Sequence, residues 1–304
     1  MRVFLTGASG FIGSNLVETL LQQGCHVSAL ARPSDPLKNL GQMVGEMNVV
    51  RSELKETEVI SRAMDQFKPD TCIHLAWYAE PKDYLHSLQN IKDLKESLDL
   101  LNIMATVGCR NILMVGTCAE YDTRISPLKE DSPTRPETLY AAAKLALLLV
   151  CQQIAKQKDL NFSWARIFYL FGPNENEGRL IPSVIRSLKE NLPFMTTEGA
   201  QERDYLYVKD VASALSFIAS SRFKGIFNIC SGKCIILKDL ISKTARLMDK
   251  EDFIHFGAIP YREWEPMRIL GDNQKLRNAG WEAKYSLEEG LTQTVDWWLC
   301  KQDR

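Results

Sequence analysis

A glycine-rich segment directly after the first apolar run constrains the fold of this chain more than any other feature. Residues 6–13 read Thr-Gly-Ala-Ser-Gly-Phe-Ile-Gly and are followed by apolar residues at helical spacing. Gly7 permits a tight turn, Gly10 lets backbone amides approach a pyrophosphate, and Gly13 allows close packing of helix on strand. The helix N-terminus adds positive potential for phosphates. The segment therefore predicts a dinucleotide-binding loop, with contacts from Gly7, Ser9, Gly10, Phe11, Ile12 and Gly13.

Short apolar runs alternate with helical patterns through the first half of the chain. The runs predicted as strands are Val3 to Thr6, His26 to Ala31, Met47 to Val50, Thr71 to Leu75, Asn111 to Gly116 and Phe162 to Phe168. Repeated strand-helix-strand units predict a doubly wound parallel sheet of the Rossmann type, with helices on both faces and ligands at the carboxyl ends of the strands. We expect residues 1–172 to form this α/β domain and residues 173–304 a smaller substrate-binding α/β lobe, with the chain crossing between them more than once.

Composition excludes several classes of protein. The 304 residues carry 37 basic and 38 acidic side chains, which argues against nucleic-acid binding through bulk positive charge. The longest apolar run, Leu145 to Cys151, is far shorter than the ~20 residues of a membrane span and is predicted to be a buried helix face. Eight scattered cysteines and four histidines show no metal-ligand spacing, so we expect reduced thiols and no metal. Since no secretion signal precedes the first strand, we expect a cytoplasmic protein that binds neither nucleic acid nor membrane.

The end of the second predicted strand bears on the choice of dinucleotide. An acid there would hydrogen-bond the adenosine ribose of NAD, whereas a basic residue would pair with the additional phosphate of NADP. The sequence has Arg32 and no acid at this point, which favours NADP(H) over NAD. A solvated surface charge is the alternative for Arg32. Glu53 and Leu54, after the third strand, are predicted adenine contacts, although Glu53 could equally be an exposed loop acid.

A tyrosine and a lysine four residues apart are predicted to share one helix face. Tyr140 and Lys144 open a long apolar helix that Thr138 can cap. The same spacing at Tyr78 and Tyr205 does not open such a helix. A cation near Tyr140 would bring its pKa from about 10 toward working pH, as general acid–base catalysis requires. Thr117, at the end of the fifth strand, can hold a carbonyl oxygen beside the phenol.

These motifs together resemble the extended short-chain dehydrogenase/reductases, in the branch of nucleotide-sugar epimerases, dehydratases and reductases. The glycine loop, Thr117 and the Tyr140–Lys144 pair occur in that branch's order. Further counterparts are His74-Leu75-Ala76, Arg166 to Pro173, Arg203 to Asp210, Asn228 and Gly280 to Trp298. The resemblance implies that Tyr140 transfers the proton, that Lys144 binds the nicotinamide ribose and lowers the tyrosine pKa, and that Thr117 orients the substrate. It also implies cofactor contacts at Leu75 and Ala76.

The resemblance further implies a nucleotide-diphosphate sugar as substrate. Diphosphates need guanidinium partners, and Arg179, Arg203 and Arg268 fall in the segments where the family builds this site. Each could instead be a surface residue. Leu180 resembles the helix start beneath the nucleotide base. Trp77 and Tyr78 could pack against the sugar, or could be core aromatics.

The residues after Thr117 separate the reactions that this branch performs. Dehydratases carry acids in the next two positions, where this chain has Cys118 and Ala119, and Glu120 is expected to face elsewhere. We therefore expect an NADP(H)-preferring reductase of a nucleotide-activated keto sugar, most specifically a 4-keto-6-deoxyhexose. A 4-epimerase with tightly bound NAD is the alternative, and a dinucleotide-sensing protein without catalysis is a third. Apolar residues on several sides of the Tyr140 helix would suit a homodimer or a monomer core.

Overall fold

The computed structural model describes residues 1–263 and 265–300. Its strands are β1 Arg2–Thr6, β2 His26–Ala31, β3 Asn48–Arg51, β4 Thr71–His74, β5 Asn111–Thr117, β6 Asn161–Ile167, β7 Tyr169–Phe171, β8 Phe194–Met195, β9 Glu202–Tyr207, β10 Gly225–Ile229, β11 Cys234–Ile236, β12 Ile254–His255 and β13 Arg268–Ile269. Its α-helices are α1 Phe11–Gln22, α2 Thr57–Phe67, α3 Gln89–Thr106, α4 Leu139–Gln157, α5 Leu180–Lys189, α6 Val208–Ser221, α7 Leu237–Arg246, α8 Gln274–Asn278 and α9 Leu287–Cys300. The six strands predicted in the first half are present, each within one residue of its predicted ends.

A parallel sheet with the order β10-β6-β5-β4-β1-β2-β3 forms the centre of the described residues. The strand order reverses between β1 and β4, and a doubly wound sheet binds its ligands at the carboxyl ends of the strands beside such a reversal. The glycine-rich loop follows β1, and Leu75 follows β4. This confirms the predicted α/β fold of the Rossmann type and places both segments at the binding edge.

Alternating side chains of the strands build a separate hydrophobic core on each face of the sheet. Val3 and Leu5 of β1 pack with α1 and α6 on one face, whereas Phe4 packs with α2, α3 and α4 on the other. These residues are fully buried. The two cores hold the sheet between helical layers, so the loops at the carboxyl edge rest on a rigid base.

The second half of the chain contributes to both units. Residues 208–229 return to the large sheet, where α6 covers α1 and β10 forms the edge strand beside β6. The segments before and after this stretch build a small sheet around β9, with β7, β11 and β13 as its partners, and α5, α7 and α9 pack against it. Residue 172 is therefore not a boundary between two independently packed units, because residues after it complete the large sheet.

Helix α4 is the one described helix long and apolar enough, by length and composition alone, to cross a membrane. Its buried residues include Leu147, Leu148 and Cys151, which belong to the core between the sheet and α3. Leu149 and Val150 of the same helix are exposed. Core packing thus accounts for one side of α4, and pairing of two chains through the other side stays a prediction.

Candidate active site

The glycine-rich loop has the geometry of a phosphate cradle. Gly7 adopts φ +73°, and a Cβ atom there would lie 2.7 Å from the Ala76 amide nitrogen. A Cβ on Gly13 would lie 2.0 Å from the Gly7 carbonyl oxygen, so neither position accepts a side chain. Gly10 begins helix α1 without any side-chain cap, which leaves amides of the first turn available to an anion. The cradle therefore fits the pyrophosphate of a dinucleotide.

A buried hydrogen-bond chain fixes the end of β4 against the end of β1. Ser97 donates to the Asp93 carbonyl oxygen at 2.6 Å, so its hydroxyl accepts from His74 Nε2 at 2.8 Å. Nδ1 of His74 then accepts from the Thr6 hydroxyl at 2.7 Å, and Thr6 accepts from the Ala76 amide at 3.2 Å. Burial lowers the pKa of His74 to about 3, so the imidazole is neutral. This chain holds the segment beginning at Leu75 beside the glycine loop.

One basic and one acidic residue follow β2, where the choice between NAD and NADP is expected to be made. Arg32 is exposed directly after β2, and its contact with the additional phosphate of NADP stays a prediction. The Asp35 carboxylate accepts a hydrogen bond from the Ser9 hydroxyl. The side-chain amide of Asn39 donates to the Ser9 carbonyl oxygen at 2.8 Å. Sequence reasoning missed Asp35 because it lies three residues beyond the position where an acid is expected. A carboxylate is therefore present beside the loop after all.

The predicted adenine contacts lie just beyond β3. The Glu53 amide donates to the Glu56 carboxylate at 2.7 Å, and Leu54 packs partly buried against the core containing α2 and α3. Neither residue lines the large cavity described below. Their contact with adenine stays a prediction.

Helix α4 presents Tyr140 on its first turn. The Thr138 hydroxyl accepts from the Ala141 amide at 3.2 Å, which confirms the predicted cap. The Tyr140 amide donates to the Leu85 carbonyl oxygen at 3.0 Å, and its ring meets that of Tyr84 edge to face at 5.0 Å. Sequence reasoning missed Tyr84, which lies in a loop without a recognisable motif. The helix start and the Tyr84 loop together fix the orientation of the phenol.

A buried ion pair between Glu120 and Arg166 fixes the backbone of Thr117. The Glu120 carboxylate accepts from the Thr117 amide at 2.8 Å, from Arg166 Nε at 2.7 Å and from Trp164 Nε1 at 3.2 Å. Glu120 and Arg166 are almost fully buried. Glu120 is thus satisfied inside the protein and does not supply an acid to the cavity, as expected from its position. Its role here is to fix the Thr117 backbone.

The protonation of Tyr140 differs from the expectation that Lys144 lowers its pKa. Burial raises the pKa of the phenol above its ordinary value, Tyr84 and Glu120 add to this rise, and a hydrogen bond with Thr117 opposes it. Lys144 Nζ donates to the Val115 carbonyl oxygen at 2.9 Å and lies 3.9 Å from the centre of the Trp77 ring. Burial lowers the pKa of Lys144 to about 7. The expected lowering is therefore wrong for this structure, because desolvation dominates.

The second lobe brings two of the three predicted arginines to the site. Arg179, directly before α5, stacks on the Tyr84 ring and donates to the Ala79 carbonyl oxygen at 3.3 Å. Arg203 on β9 is buried and donates to Glu265 at 2.6 Å. Arg268 instead pairs with Glu202 at 3.4 Å, with its side chain half exposed. Its neighbour on β13 is buried, so alternation turns Arg268 away from the site.

Of the two aromatic residues after β4, Trp77 faces the cavity and Tyr78 does not. Trp77 lines the cavity, and its indole nitrogen donates to Asn90 at 2.8 Å. Tyr78 turns outward, where its hydroxyl donates to Asp83 at 2.7 Å. The structure therefore does not place Tyr78 at the site, and it gives Trp77 a packing role against Lys144.

One cavity of about 1250 Å³ joins these elements. It exceeds the ~300–1,000 Å³ of an ordinary small-molecule site, so it has room for two ligands end to end. The predicted site residues that line it are Gly7, Gly10, Phe11, Ile12, Gly13, Leu75, Trp77, Thr117, Tyr140, Lys144, Arg179, Leu180 and Arg203. Those outside its lining are Ser9, Arg32, Glu53, Leu54, Ala76, Tyr78 and Arg268. In the described residues no cluster of His, Cys, Asp or Glu could hold a metal.

Comparison with known proteins agrees with this geometry. The chain is 25% identical to dTDP-6-deoxy-L-talose 4-dehydrogenase (NAD(+)) of Aggregatibacter actinomycetemcomitans, over 89% of this chain and 99% of that protein. It is 26% identical to CDP-abequose synthase of Salmonella typhimurium, over 96% and 97% respectively. Its structure matches UDP-glucose 4-epimerase of Thermus thermophilus in complex with NAD, with a TM-score of 0.88, 26% identity and 99% of each chain covered.

A family model settles the wider assignment, because it matches residues 3–230 and so includes the glycine loop, Thr117, Tyr140 and Lys144. The resemblance inferred from the motifs is thereby confirmed at the level of the nucleotide-sugar branch. The chain belongs to the NAD dependent epimerase/dehydratase family.

Proposed function

We propose that this protein is an NAD(P)H-dependent reductase of a nucleotide-activated keto sugar, most specifically a 4-keto-6-deoxyhexose reduced at position 4. The observation that carries the proposal is the set of groups around Thr117. Its side chain lines the same cavity as Tyr140, whereas Cys118 and Ala119 supply no acid for elimination of water, and Glu120 is bonded inside the protein. The site thus has a proton donor for a ketone and lacks the extra acid that a dehydration needs.

Each residue then has a defined task. Gly7, Gly10 and Gly13 would hold a nicotinamide dinucleotide, which would supply the hydride when bound. Thr117 and Tyr140 hydrogen-bond the substrate carbonyl oxygen, and Tyr140 gives it the phenolic proton as the ketone becomes an alcohol. Burial raises the pKa of Tyr140, so the phenol carries its proton at neutral pH, as an unperturbed tyrosine also does. Arg203 and Arg179 provide the positive charge that a nucleotide diphosphate requires.

A 4-epimerase with tightly bound NAD is the second candidate. The likeness to the Thermus UDP-glucose 4-epimerase and the Asp35 carboxylate beside Ser9 favour it. One observation favours reduction instead: the chain is similar to a CDP-abequose synthase along nearly its whole length. A dinucleotide sensor would have no need for Thr117, Tyr140 and Lys144 to line one cavity.

An assay of cofactor consumption tests the function. Purified protein is incubated with NADPH and with 4-keto-6-deoxyhexoses activated by dTDP, CDP, UDP or GDP. We expect one mole of NADPH to be oxidised per mole of one such substrate, followed by the absorbance of the reduced nicotinamide. Interconversion of two sugar nucleotides without net consumption of NADPH would establish the epimerase instead. Failure to transform any sugar nucleotide would favour the sensing protein.

We also propose that the cofactor is NADP(H), on the strength of the exposed guanidinium that follows β2. Arg32→Ala should lower kcat/KM for NADPH by about tenfold and leave the value for NADH within about twofold, since a charged hydrogen bond to the additional phosphate is lost. Arg62→Ala, which removes another exposed arginine on α2, is the matched control. Equal effects on the two cofactors would contradict the assignment. A cytoplasmic location, where NADPH is supplied, belongs to the same proposal.

A further inference from the structure

Glu175 is a buried acid in the cavity that the mechanism above does not use. Its residue is 8% exposed, and its carboxyl oxygen Oε2 has no hydrogen-bond partner among the described residues. It lines the same cavity as Thr117 and Tyr140. Buried polar atoms in native proteins are nearly always paired, so an unpaired one that borders a cavity indicates a group supplied by a ligand.

The loop that carries Glu175 is held firmly. Asn174 adopts φ +70° and its side chain donates to Ser14 on α1 at 3.2 Å, while Asn15 donates to the Pro173 carbonyl oxygen at 3.3 Å. The Glu175 amide bonds back to the Gly172 carbonyl oxygen. These hydrogen bonds fix the position of the Glu175 backbone.

The neighbours of Glu175 belong to the substrate side of the cavity. Arg179 influences its charge, yet the guanidinium bonds of Arg179 go to Ala79 and Tyr84. Tyr205 of the small sheet lines the same cavity and is influenced by the Glu175 charge. Both residues lie in the segment that follows the glycine-loop domain. This environment places the free carboxyl oxygen near the second lobe.

We propose that Glu175 recognises the substrate sugar by accepting a hydrogen bond from one of its hydroxyl groups. The inference rests on the proposed function, since it presumes a nucleotide sugar. A sugar hydroxyl group suits this position, because it can donate the hydrogen bond that Oε2 lacks. Burial raises the pKa of Glu175 to about 8, and this effect exceeds the opposing effects of the Arg179 charge and of a backbone hydrogen bond from Gly172.

Binding measurements on variants test the proposal. Wild type, Glu175→Ala and Glu175→Gln are titrated with the one of UDP-, dTDP-, CDP- or GDP-glucose that binds wild type most tightly, with the matching nucleoside diphosphate, and with NADPH. For Glu175→Ala we expect the affinity for the sugar nucleotide to fall by about tenfold, as for loss of one hydrogen bond. Affinities for the nucleoside diphosphate and NADPH should stay within about twofold. Glu175→Gln, which keeps an acceptor oxygen, should lose less.

Folding is monitored separately by the melting temperature. Since Glu175 has no partner for Oε2, Glu175→Ala should melt no lower than wild type, and a large fall would point to a structural role instead. Glu190→Ala, an exposed acid directly after α5, is the matched control. The proposal is overturned, with the proposed function left standing, by any of three results for Glu175→Ala. These are an unchanged affinity for the sugar nucleotide, an equal fall in the affinity for the nucleoside diphosphate, and a fall in the affinity for NADPH only. If wild type binds none of the four sugar nucleotides, the proposed function and this inference fail together.

Discussion

Replacing Tyr140 by phenylalanine is expected to lower kcat for ketone reduction by about a thousandfold, since general acid catalysis contributes ~10²–10⁴-fold. Phenylalanine keeps the ring that meets Tyr84 at 5.0 Å and removes only the hydroxyl that we propose as the proton donor. The glycine loop does not depend on that hydroxyl, so the dissociation constant for NADPH should remain within about twofold. Steady-state rates with the keto-sugar substrate and fluorescence titration of NADPH measure the two quantities.

A second tyrosine serves as the control for Tyr140. Tyr285 packs edge to face on Tyr207 in the small lobe and does not line the cavity. Tyr285→Phe removes the same atom from a distant place and should retain the wild-type kcat. If Tyr140→Phe kept more than about a tenth of the wild-type rate, the phenol could not be the proton donor assigned here.

Replacing Arg166 by leucine is expected to reduce the free energy of unfolding by about 3–5 kcal/mol at pH 7, because it leaves the Glu120 carboxylate buried without its cation. The two side chains are 2% and 0% exposed, and their atoms Nε and Oε2 are 2.7 Å apart. Urea denaturation gives the free energy directly. The activity should also fall, since Glu120 holds the Thr117 amide.

The pH dependence of this loss follows from Glu120. Burial already raises its pKa and Arg166 opposes the rise, so the variant should have a higher pKa than wild type. The folded variant then binds a proton more readily than the unfolded chain does. The loss of unfolding free energy relative to wild type should therefore be largest at neutral pH and should shrink as the pH falls below the raised pKa. A deficit that grew toward acid pH would contradict the assignment of the buried charge.

An exposed ion pair shows why burial decides the size of this effect. Arg246 bonds Glu251 at 2.9 Å, but its side chain is 73% exposed. Arg246→Leu removes a pair of the same chemistry and should change the free energy of unfolding by less than about 1 kcal/mol. The double variant Glu120→Gln/Arg166→Leu should be less destabilised than Arg166→Leu, because no charge is left buried.

The sheet and the catalytic helix could be predicted because their signals are local. Gly7 and Gly13 stand where any side chain would meet backbone, and Thr138 caps the helix that carries Tyr140. These constraints act within a few residues of one another and are visible in the sequence as residue types at fixed spacing. Short apolar runs between helical patterns indicated the six strands in the same way.

The rest of the site depends on which way a side chain turns in a short or irregular segment. Arg268 and Tyr78 lie beside residues that face inward and therefore turn outward, which no motif reveals. Tyr84 and Glu175 reach the cavity from loops whose course is set by distant contacts. The direction of the Tyr140 pKa shift was not predicted either, because its largest cause is desolvation, which depends on the packed surroundings.

The return of the chain to the large sheet limits how such proteins can diversify. Since α6 and β10 come from the second half yet complete the layer over α1 and the edge beside β6, exchanging the C-terminal half between two relatives would also exchange part of the cofactor domain. A recombinant would have to match two cores at once. New sugar specificities in this architecture should accordingly arise by point changes in the loops around the cavity, and seldom by swapping modules.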